Sequence, residues 1–411
     1  MPEFLTLLPP LVALEKILAQ LPPAAPAVEQ VPSPAALGRI LVEDILSPES
    51  LPAFPRSTVD GYAVHAADTY GASDSLPAYL SLAGEIPMGG APGFALGTQQ
   101  AALIHTGGML PEGADAVVMV ENTQAARVEE IEVQRAVARW ENVLKTGEDV
   151  QVGEGVLPKG RHLRPADIGG LMALGILQVR VARPPRIAIL SSGDEVVPPE
   201  RTPGPGQVRD VNSAMLAAMV AQAGGEPVVL GIFPDRAEAL QSGLRQALQA
   251  CDAVVITAGS SASARDLTSS VIQQAGQPGV LVHGVNLKPG KPTILGVCDG
   301  KPVIGLPGNP VSAFVVARLF LLPIIEHLSG GLEETIHPQV NAYLSVNLAS
   351  QAGREDWMPV ILTQEGNSFR AEPVFYKSNL IFSLSRAAGL LYIPADATGI
   401  EAGEQVKVYL L

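Results

Sequence analysis

The apolar residues near the start of the chain recur at helical spacing. Five of them share one helix face: Leu11, Leu14, Ile17, Leu18 and Leu21. That spacing predicts an amphipathic N-terminal helix. The Pro/Ala-rich segment 22–34 predicts a stiff, extended connector. Residues from about 50 to 149 are rich in glycine, proline and short apolar runs such as 116–120, which predicts a small β-rich domain.

From residue 186 onward, strand-length apolar runs alternate with helical stripes. The apolar runs are residues 187–190, 228–232 and 253–257. The helical stripes are Val211, Met215, Leu216, Met219 and Val220, ending at Gly224-Gly225, and then Leu240, Leu244 and Leu248. This alternation predicts a doubly wound α/β domain with a parallel sheet.

Two further patterns complete the predicted organisation. Segment 165–174 predicts a short helix with proline near its start. Strand-like runs return after about residue 338 and end in 406–411, which predicts a separate small β domain. A chain of 411 residues is too long for one ordinary domain. The expected fold class is therefore α/β and β, multidomain.

Composition narrows the partners and the compartment. The net charge is −14 and aromatic residues make up 4% of the chain, so DNA and RNA are disfavoured as partners. Two cysteines without paired spacing disfavour a disulfide framework and a zinc-thiolate site. The N-terminus lacks a basic leader, and the apolar run 311–325 is interrupted by Arg318 and Pro323. We expect that run to be too short to span a bilayer, and we expect the protein to be cytoplasmic.

The most distinctive chemistry lies in segments 283–296 and 300–313, which are rich in glycine and proline. Lys288 and Lys291 stand three residues apart across Pro289-Gly290. Glycine lets a backbone approach a ligand closely, and proline fixes the turn that presents it. These features predict an anion cradle, which an acidic chain needs for any anionic substrate. A solvated lysine turn is the alternative.

Ligands of an open parallel sheet bind beyond the carboxyl ends of its strands. The segments predicted there contain hydroxyls, carboxylates and lysines: 191–195, 234–235, 259–266 and 288–291. Amides and hydroxyls suit phosphate oxygens, and Asp or Glu suits hydrated Mg²⁺. Each acid taken alone is more often a helix cap or a solvated turn. Together they favour a phosphate-plus-metal site, whereas the lack of a Gly-x-Gly-x-x-Gly or Walker motif disfavours nicotinamide and P-loop chemistry.

The β-rich part contains two glycine-bearing motifs, at 57–64 and 104–119. Their Asp-Gly and Gly-Gly pairs are also ordinary hairpin signals. Segment 147–149 is equally ambiguous. The six histidines show no ligand spacing, and we interpret them as structural or exposed.

Taken together, these segments resemble the MoeA family of molybdopterin molybdenumtransferases, which includes the E domain of gephyrin. The resemblance runs from about Gly38 to the C-terminus. The motifs that carry it are STVDGYAV at 57–64, HTGGMLPEGADAVVM at 105–119, GEDV at 147–150, SSGDEV at 191–196, HGVNLKPGKPT at 283–293 and GLPGNPVSA at 305–313. Their order and spacing match as well.

The resemblance implies a four-domain protomer with a MogA-like doubly wound α/β domain. A split N-terminal domain would comprise residues 1–49 and 150–183, and a β-rich insertion domain residues 50–149. The α/β domain would span 184–332 and the C-terminal β domain 333–411. It also implies a homodimer whose active cleft lies at the subunit interface.

The family reaction implies molybdate and adenylylated molybdopterin as substrates, AMP and molybdenum cofactor as products, and Mg²⁺ as cofactor. Molybdopterin adenylyltransferase would be the upstream partner; no nucleic acid and no membrane are expected. The residues implied as catalytic are Asp60, Thr106, Asp149, Lys288 and Lys291. Those implied in substrate binding are Gly193, Asp194, Ser260, Ser261, Pro289, Gly290, Ser312, Arg354 and Ser378. Those implied at the metal are Glu195, Asp235 and Asp266.

One loop departs from the family pattern, and two other functions stay open. Ala258 and Ser263 stand where relatives usually carry glycine. A Cβ at a positive φ costs about 1 kcal/mol, so we expect altered affinity there. A molybdopterin adenylyltransferase shares the α/β domain, but not the β-rich and C-terminal parts. A gephyrin-like scaffold is the non-enzymatic alternative.

Overall fold

The computed structural model describes residues 7–258, 262–331, 338–375 and 377–411. The contacts divide the chain into two compact units. The larger unit contains Met1–Val42, Gly160–Arg164 and Gln178–Leu411, and the smaller unit contains Glu43–Lys159 and Pro165–Leu177. The chain therefore leaves the larger unit and returns to it. The finer division into four domains stays a prediction.

The centre of the larger unit is a six-stranded sheet, called here the α/β sheet. Its strands lie in the order Glu226–Phe233, Arg186–Ser192, Ala253–Ala258, Lys301–Pro307, Ile294–Cys298 and Pro278–His283. The helices between or after them are Asn212–Gln222, Ala237–Ala250, Ala262–Ala275 and the helical segment that begins at Pro310. The fold-class prediction of a doubly wound α/β part together with β parts is confirmed.

One strand of the α/β sheet differs from the all-parallel prediction. Ile294–Cys298 is antiparallel to both of its neighbours, Lys301–Pro307 and Pro278–His283. The cause is the two-residue connection Asp299-Gly300, whose φ values are +51° and +82°. Two successive positive φ values are those of a tight hairpin turn, and a hairpin makes its two strands antiparallel.

The helical segment after Lys301–Pro307 runs without a break from Pro310 to Ser329. Its 20 residues are long and apolar enough to cross a membrane, and 56% of its apolar window is buried inside the protein. The expectation that Arg318 and Pro323 shorten this run is therefore wrong. A π-helical turn at Ala317–Leu321 precedes Pro323, and such a turn accommodates the missing proline N–H.

The N-terminal elements of the larger unit match one prediction and correct another. The amphipathic helix is present as Pro10–Leu18, with Ala13 and Ile17 buried. The segment 22–34 is not simply a connector, because Val28–Pro32 forms a strand antiparallel to Gln178–Ala182. Its proline ends the strand, where the absence of an N–H breaks no ladder bond.

The C-terminal residues form a second sheet, called here the C-terminal sheet. Five of its strands close into a ring: Glu355–Glu365, Ser368–Pro373, Gln339–Leu344, Gln405–Leu410 and Gly389–Ile393. A ring leaves few open edges for other chains to pair with. The short strand Leu287–Lys288 joins this sheet beside Glu355–Glu365. The remaining elements here are Leu348–Ala349 paired with Gly399–Ile400, and the helix Phe382–Arg386.

The smaller unit is built on one six-stranded sheet, as its glycine- and proline-rich sequence predicts. The strands lie in the order Ala116–Met119, Gly61–Val64, Gln100–Ile104, Ala78–Glu85, Glu130–Val133 and Thr123–Arg127. Two short strand pairs accompany it, Arg56–Ser57 with Val143–Leu144 and Ile45–Leu46 with Gly155–Leu157. The predicted short helix is Pro165–Ala173.

Candidate functional site

One cleft of the larger unit, of about 950 Å³, is lined by several of the residues predicted to be catalytic or to bind substrate. It is called here the cationic cleft. The predicted residues that line it are Lys288, Pro289, Gly290, Lys291, Ser312, Arg354 and Ser378. Its described lining contains four cationic side chains, those of Lys288, Lys291, Arg265 and Arg354, and one acidic side chain, that of Asp356. The cleft thus gathers positive charge in a chain of net charge −14.

Asp356 holds two of these cations in place. The parallel pairing of Leu287–Lys288 with Glu355–Glu365 puts Lys288 opposite Asp356. Lys288 Nζ lies 3.4 Å from Asp356 Oδ2, and Arg354 Nε donates to Asp356 Oδ1 at 3.0 Å. Ser350 Oγ donates to Asp356 Oδ2 at 3.0 Å. With a side chain only 4% exposed, Asp356 needs these partners, because a buried carboxylate without them is costly.

The same contacts leave donors free for a ligand. Arg354 binds Asp356 through Nε, and its two terminal nitrogens make no hydrogen bond to the described residues. Lys288 has a half-exposed side chain and uses one of its three donors on Asp356. A guanidinium fork and an ammonium therefore remain available to an oxyanion that enters the cleft.

The turn between Lys288 and Lys291 depends on Gly290. Its φ is +124°, and a Cβ there would lie 2.6 Å from Val316 Cγ2. Thr293 Oγ1 donates to the Gly290 carbonyl at 2.6 Å, and Val285 N donates to the Lys291 carbonyl at 2.9 Å. The turn is thus fixed by its own hydrogen bonds against the long helix. The Lys288-Pro289 peptide is cis.

Replacing Gly290 by alanine is expected to lower the free energy of unfolding by about 2–4 kcal/mol, from overpacking against Val316 and from backbone strain. Urea-induced unfolding followed by tryptophan fluorescence measures this. Gly353→Ala is the matched control, because Gly353 has a φ of +93° but open space around its Cβ position. It is expected to lose only about 1 kcal/mol. Equal losses in the two variants would contradict the packing argument.

Two predicted serines are associated with the start of the long helix. Ser312 is buried in its first turn. Val311 N donates to the Ser378 carbonyl at 3.1 Å, and Asn309 Nδ2 donates to Ser378 Oγ at 3.0 Å. The segment around Ser378 is therefore tied to the helix start, and both serines line the cleft. Hydroxyl donors at a helix N-terminus suit an anionic ligand.

A second group of predicted residues lies at the carboxyl ends of the strands Arg186–Ser192 and Glu226–Phe233. Asp235 N donates to Asp194 Oδ1 at 3.3 Å, and Ser192 Oγ donates to Asp235 Oδ1. Gly193 leaves room for the returning Glu195 side chain, whose Oε2 lies 2.9 Å from the position a Cβ would take. Asp194 and Glu195 follow Arg186–Ser192, one of the two strands at the switch point of the sheet, where such folds bind ligands, and Asp235 follows its neighbour Glu226–Phe233.

Of the residues predicted to bind the metal, Glu195 and Asp235 follow two different strands and Asp266 lies on a helix. In the described part of the chain, no group of three or more His, Cys, Asp or Glu residues could hold a metal ion. Asp266 lies exposed on the helix Ala262–Ala275. Asp194 and Asp235 are neighbours, and two carboxylates suit a Mg²⁺ that keeps waters and phosphate oxygens as its other ligands. Asp194 and Asp235 therefore fit a Mg²⁺ site, and the assignment of the metal to Glu195, Asp235 and Asp266 stays a prediction.

The loop after Ala253–Ala258 is only partly within the described residues. Ser260 and Ser261 lie outside them. The strain expected at Ala258 and Ser263 is absent, because Ala258 belongs to a regular strand and Ser263 to a regular helix. Neither backbone conformation needs a positive φ, and the altered affinity expected at this loop stays a prediction.

The smaller unit brings Asp60 and Thr106 together. Asp60 Oδ1 accepts hydrogen bonds from Thr106 N at 2.8 Å and from Thr106 Oγ1 at 3.1 Å. These bonds, the backbone one first, hold the pKa of Asp60 below its ordinary value. His105 Nδ1 lies 3.7 Å from the same oxygen. Gly61 is required beside Asp60, since a Cβ there would lie 1.9 Å from the Val118 carbonyl oxygen.

Asp149 is exposed, and its N–H donates to the Leu51 carbonyl at 3.0 Å. Within the described residues, its carboxylate makes no hydrogen bond to Asp60 or Thr106. Its catalytic role therefore stays a prediction.

Replacing Thr106 by valine is expected to raise the pKa of Asp60 toward its ordinary value. The pKa of Asp60 is expected to stay partly lowered, because the Thr106 N–H still donates to Asp60 Oδ1. An NMR titration of the Asp60 carboxyl carbon measures this. Thr123→Val is the control, since that hydroxyl donates to the Val120 carbonyl instead. An Asp60 pKa that stays the same or falls in the Thr106 variant would contradict the assignment.

Sequence reasoning missed three residues at these sites. Asp356 holds Lys288 and Arg354, Arg265 lines the cleft, and Asn309 anchors Ser378. The spacing Arg354-x-Asp356 contains a signal for the first, because residues two apart share one face of extended chain. Asn309 directly precedes Pro310, which is a helix-start signal.

Comparison with known proteins identifies the family. The MoeA N-terminal region (domain I and II) matches residues 9–175, a probable molybdopterin binding domain matches 188–327, and the MoeA C-terminal region (domain IV) matches 341–411. A Mycobacterium tuberculosis protein named molybdopterin molybdenumtransferase 2 is 34% identical, over 92% of this chain and 94% of its own length. The chain belongs to the MoeA family.

Two further relatives agree with this membership. The molybdopterin molybdenumtransferase of Bacillus subtilis is 32% identical, over 92% of this chain and 88% of its own. The crystal structure of a molybdopterin biosynthesis MoeA protein from Pyrococcus horikoshii matches with a TM-score of 0.86 at 32% identity. It covers 99% of this chain and 100% of its own. The predicted family, and with it the transferase class, are confirmed.

Proposed function

We propose that this protein inserts molybdenum from molybdate into adenylylated molybdopterin and releases AMP, in a Mg²⁺-dependent last step of molybdenum cofactor biosynthesis. The observation that carries the proposal is the cationic cleft. Residues from four separate stretches of sequence line it with their polar groups: Lys288 and Lys291, Ser312, Arg354, and Ser378. The names of the relatives supply the substrate class.

Electrostatics explains why such a reaction needs this cleft. A molybdate dianion must approach a pyrophosphate that is already anionic, and their repulsion is strong at short range. Lys288 and Arg354 offset it with donors fixed by Asp356, which cost little reorganisation when the oxyanion arrives. Lys291 adds a third cation, whose ammonium makes no hydrogen bond or ion pair with the described residues.

The hydroxyls and the turn orient the oxyanion. Ser312 offers an O–H donor from the helix start and Ser378 one from the segment bonded to it, and Pro289-Gly290 presents the lysines. Soft sulfur ligands for the metal belong to the substrate dithiolene, so the protein need not supply thiolates. Cleavage of the phosphoanhydride then rests on positioning and charge stabilisation, without a covalent enzyme intermediate. Mg²⁺ held by Asp194 and Asp235 would neutralise phosphate charge when bound.

The residues of the smaller unit enter the proposal through a dimer. Asp60, Thr106 and Asp149 of one subunit would complete the cationic cleft of the other, as the family resemblance implies. We further propose that the protein is a cytoplasmic homodimer that receives its substrate from a molybdopterin adenylyltransferase, with neither nucleic acid nor membrane as a partner. Sedimentation velocity tests the dimer.

The decisive experiment mixes the purified protein with adenylylated molybdopterin and Mg²⁺, with and without molybdate. Release of AMP that depends on molybdate supports the proposal. Consumption of ATP in the presence of molybdopterin would instead indicate an adenylyltransferase. The absence of both activities would contradict the proposal and would favour the scaffold alternative.

Replacing Asp356 by asparagine is expected to lower kcat/KM for molybdate by about tenfold or more, because Lys288 and Arg354 lose the charge that orients them. Initial rates of AMP release at varied molybdate measure this. Glu355→Gln is the matched control on the opposite face of the same strand, where burial raises the pKa of the carboxyl. An Asp356→Asn enzyme with the wild-type kcat/KM would remove Asp356 from the site.

A further inference from the structure

Phe375 is an exposed aromatic residue in a chain with few aromatics. Its exposed fraction is 70%, and it lines the cationic cleft. Only nine phenylalanines occur in 411 residues, so a solvent-facing ring at the substrate cleft calls for an explanation. A large apolar side chain held in water loses the stabilisation that burial supplies, and a ligand that covers the ring restores it.

The strand register places this ring close to the cationic end of the cleft. Asp356 and Met358 lie two residues apart on the strand Glu355–Glu365, hence on one face, about 7 Å apart. Val360 pairs with Pro373, and Val374 N donates to the Pro359 carbonyl at 2.9 Å. Continuing that antiparallel register puts Phe375 opposite Met358. Both line the cleft, one step along the strand from the carboxylate that holds Lys288 and Arg354.

The strand that carries Met358 is held rigidly by the packing of Trp357. Trp357 also lines the cleft, and its ring lies 5.1 Å from those of Tyr392 and Tyr409, centroid to centroid. Three mutually packed aromatic rings fix the position of this strand. The cleft therefore places the apolar side chains of Met358 and Phe375 beside its cations, which suits a flat heteroaromatic ring that carries an anionic group.

We infer that Phe375, with Met358 opposite it, is the platform on which the pterin ring system of the substrate stacks. This inference rests on the proposed function. Adenine is the other flat ring of that substrate. The pterin is favoured because its dithiolene sulfurs receive the metal, so its ring system must lie beside the oxyanion held by Lys288 and Arg354. Adenine is separated from the dithiolene by the pyrophosphate.

The test is a fluorescence titration of the full-length protein with pterin-6-carboxylate, with AMP titrated separately by calorimetry. Phe375→Ala is expected to weaken pterin-6-carboxylate binding roughly tenfold and to leave AMP binding within twofold. Phe375→Tyr, which keeps the ring, is expected to bind as the wild type does. Phe382→Ala is the matched control, because Phe382 is 71% exposed but does not line the cleft.

Three results would overturn the platform. One is wild-type pterin affinity in Phe375→Ala; the second is an equal loss in Phe382→Ala; the third is a loss of AMP affinity alone. Activity separates this inference from the proposed function. Molybdate-dependent AMP release with an unchanged KM for adenylylated molybdopterin in Phe375→Ala refutes the platform and keeps the function. Phe375-dependent pterin binding without any AMP release refutes the function and keeps the pterin-binding surface.

Discussion

Replacing Lys288 by alanine is expected to abolish molybdate-dependent AMP release, a loss of at least about a hundredfold in kcat/KM. Lys288 is the ammonium that Asp356 holds at the floor of the cationic cleft, and its remaining donors face the cleft. Without it, the dianion meets an anionic pyrophosphate with one fixed cation fewer. The measurement is the initial rate of AMP formation in the presence of Mg²⁺, with molybdate varied.

The fold of the Lys288 variant should be intact, because the side chain is 51% exposed. Lys407→Ala is the matched control, since it removes an exposed lysine from a C-terminal strand that does not line the cleft. It is expected to retain wild-type activity. Full activity in Lys288→Ala would remove this lysine from the site.

Replacing Asp60 by asparagine is expected to be equally damaging. The amide oxygen can still accept both hydrogen bonds from Thr106, so the local structure is kept and only the charge is lost. Because those bonds hold the pKa of Asp60 below its ordinary value, the wild-type carboxylate stays ionised throughout the neutral range. Loss of AMP release in this variant therefore reports the negative charge itself.

Asp74→Asn is the control for Asp60→Asn, because it neutralises an exposed acid elsewhere in the smaller unit. Circular dichroism confirms that both variants are folded. An Asp60→Asn enzyme as active as the Asp74 variant would show that Asp60 is only a turn residue. The hairpin interpretation of its Asp-Gly pair would then be the correct one.

The local sequence is enough to predict the cleft residues that lie within one turn. Lys288, Pro289, Gly290 and Lys291 are adjacent in sequence, and glycine at φ +124° is the residue that such a turn demands. Asp356 could not be found in this way. Its contact with Lys288 joins residues 68 positions apart, through a parallel pairing that no local pattern encodes. Arg354 and Ser378 were placed at the cleft by family resemblance alone.

The incorrect expectations have one thing in common, which is that local propensity alone does not decide the conformation of the segment. Proline in segment 22–34 suggests an unpaired connector, yet Val28–Pro32 finds Gln178–Ala182 as a partner. Pro323 suggests a helix end, yet a π-helical turn accommodates it. Ala258 suggests strain only if the loop starts there, and the strand in fact continues through it. Strand pairing overrides local propensity in the first and third cases, and a local change of helix type does so in the second.

Molybdate binding in the cationic cleft is tested directly by a crystal structure of the protein with AMP and molybdate, with data collected at the molybdenum absorption edge. We expect an anomalous peak in the cationic cleft, within hydrogen-bond distance of Lys288, Arg354 and Ser312. A peak elsewhere, or an empty cleft at a molybdate concentration that supports AMP release, would contradict it.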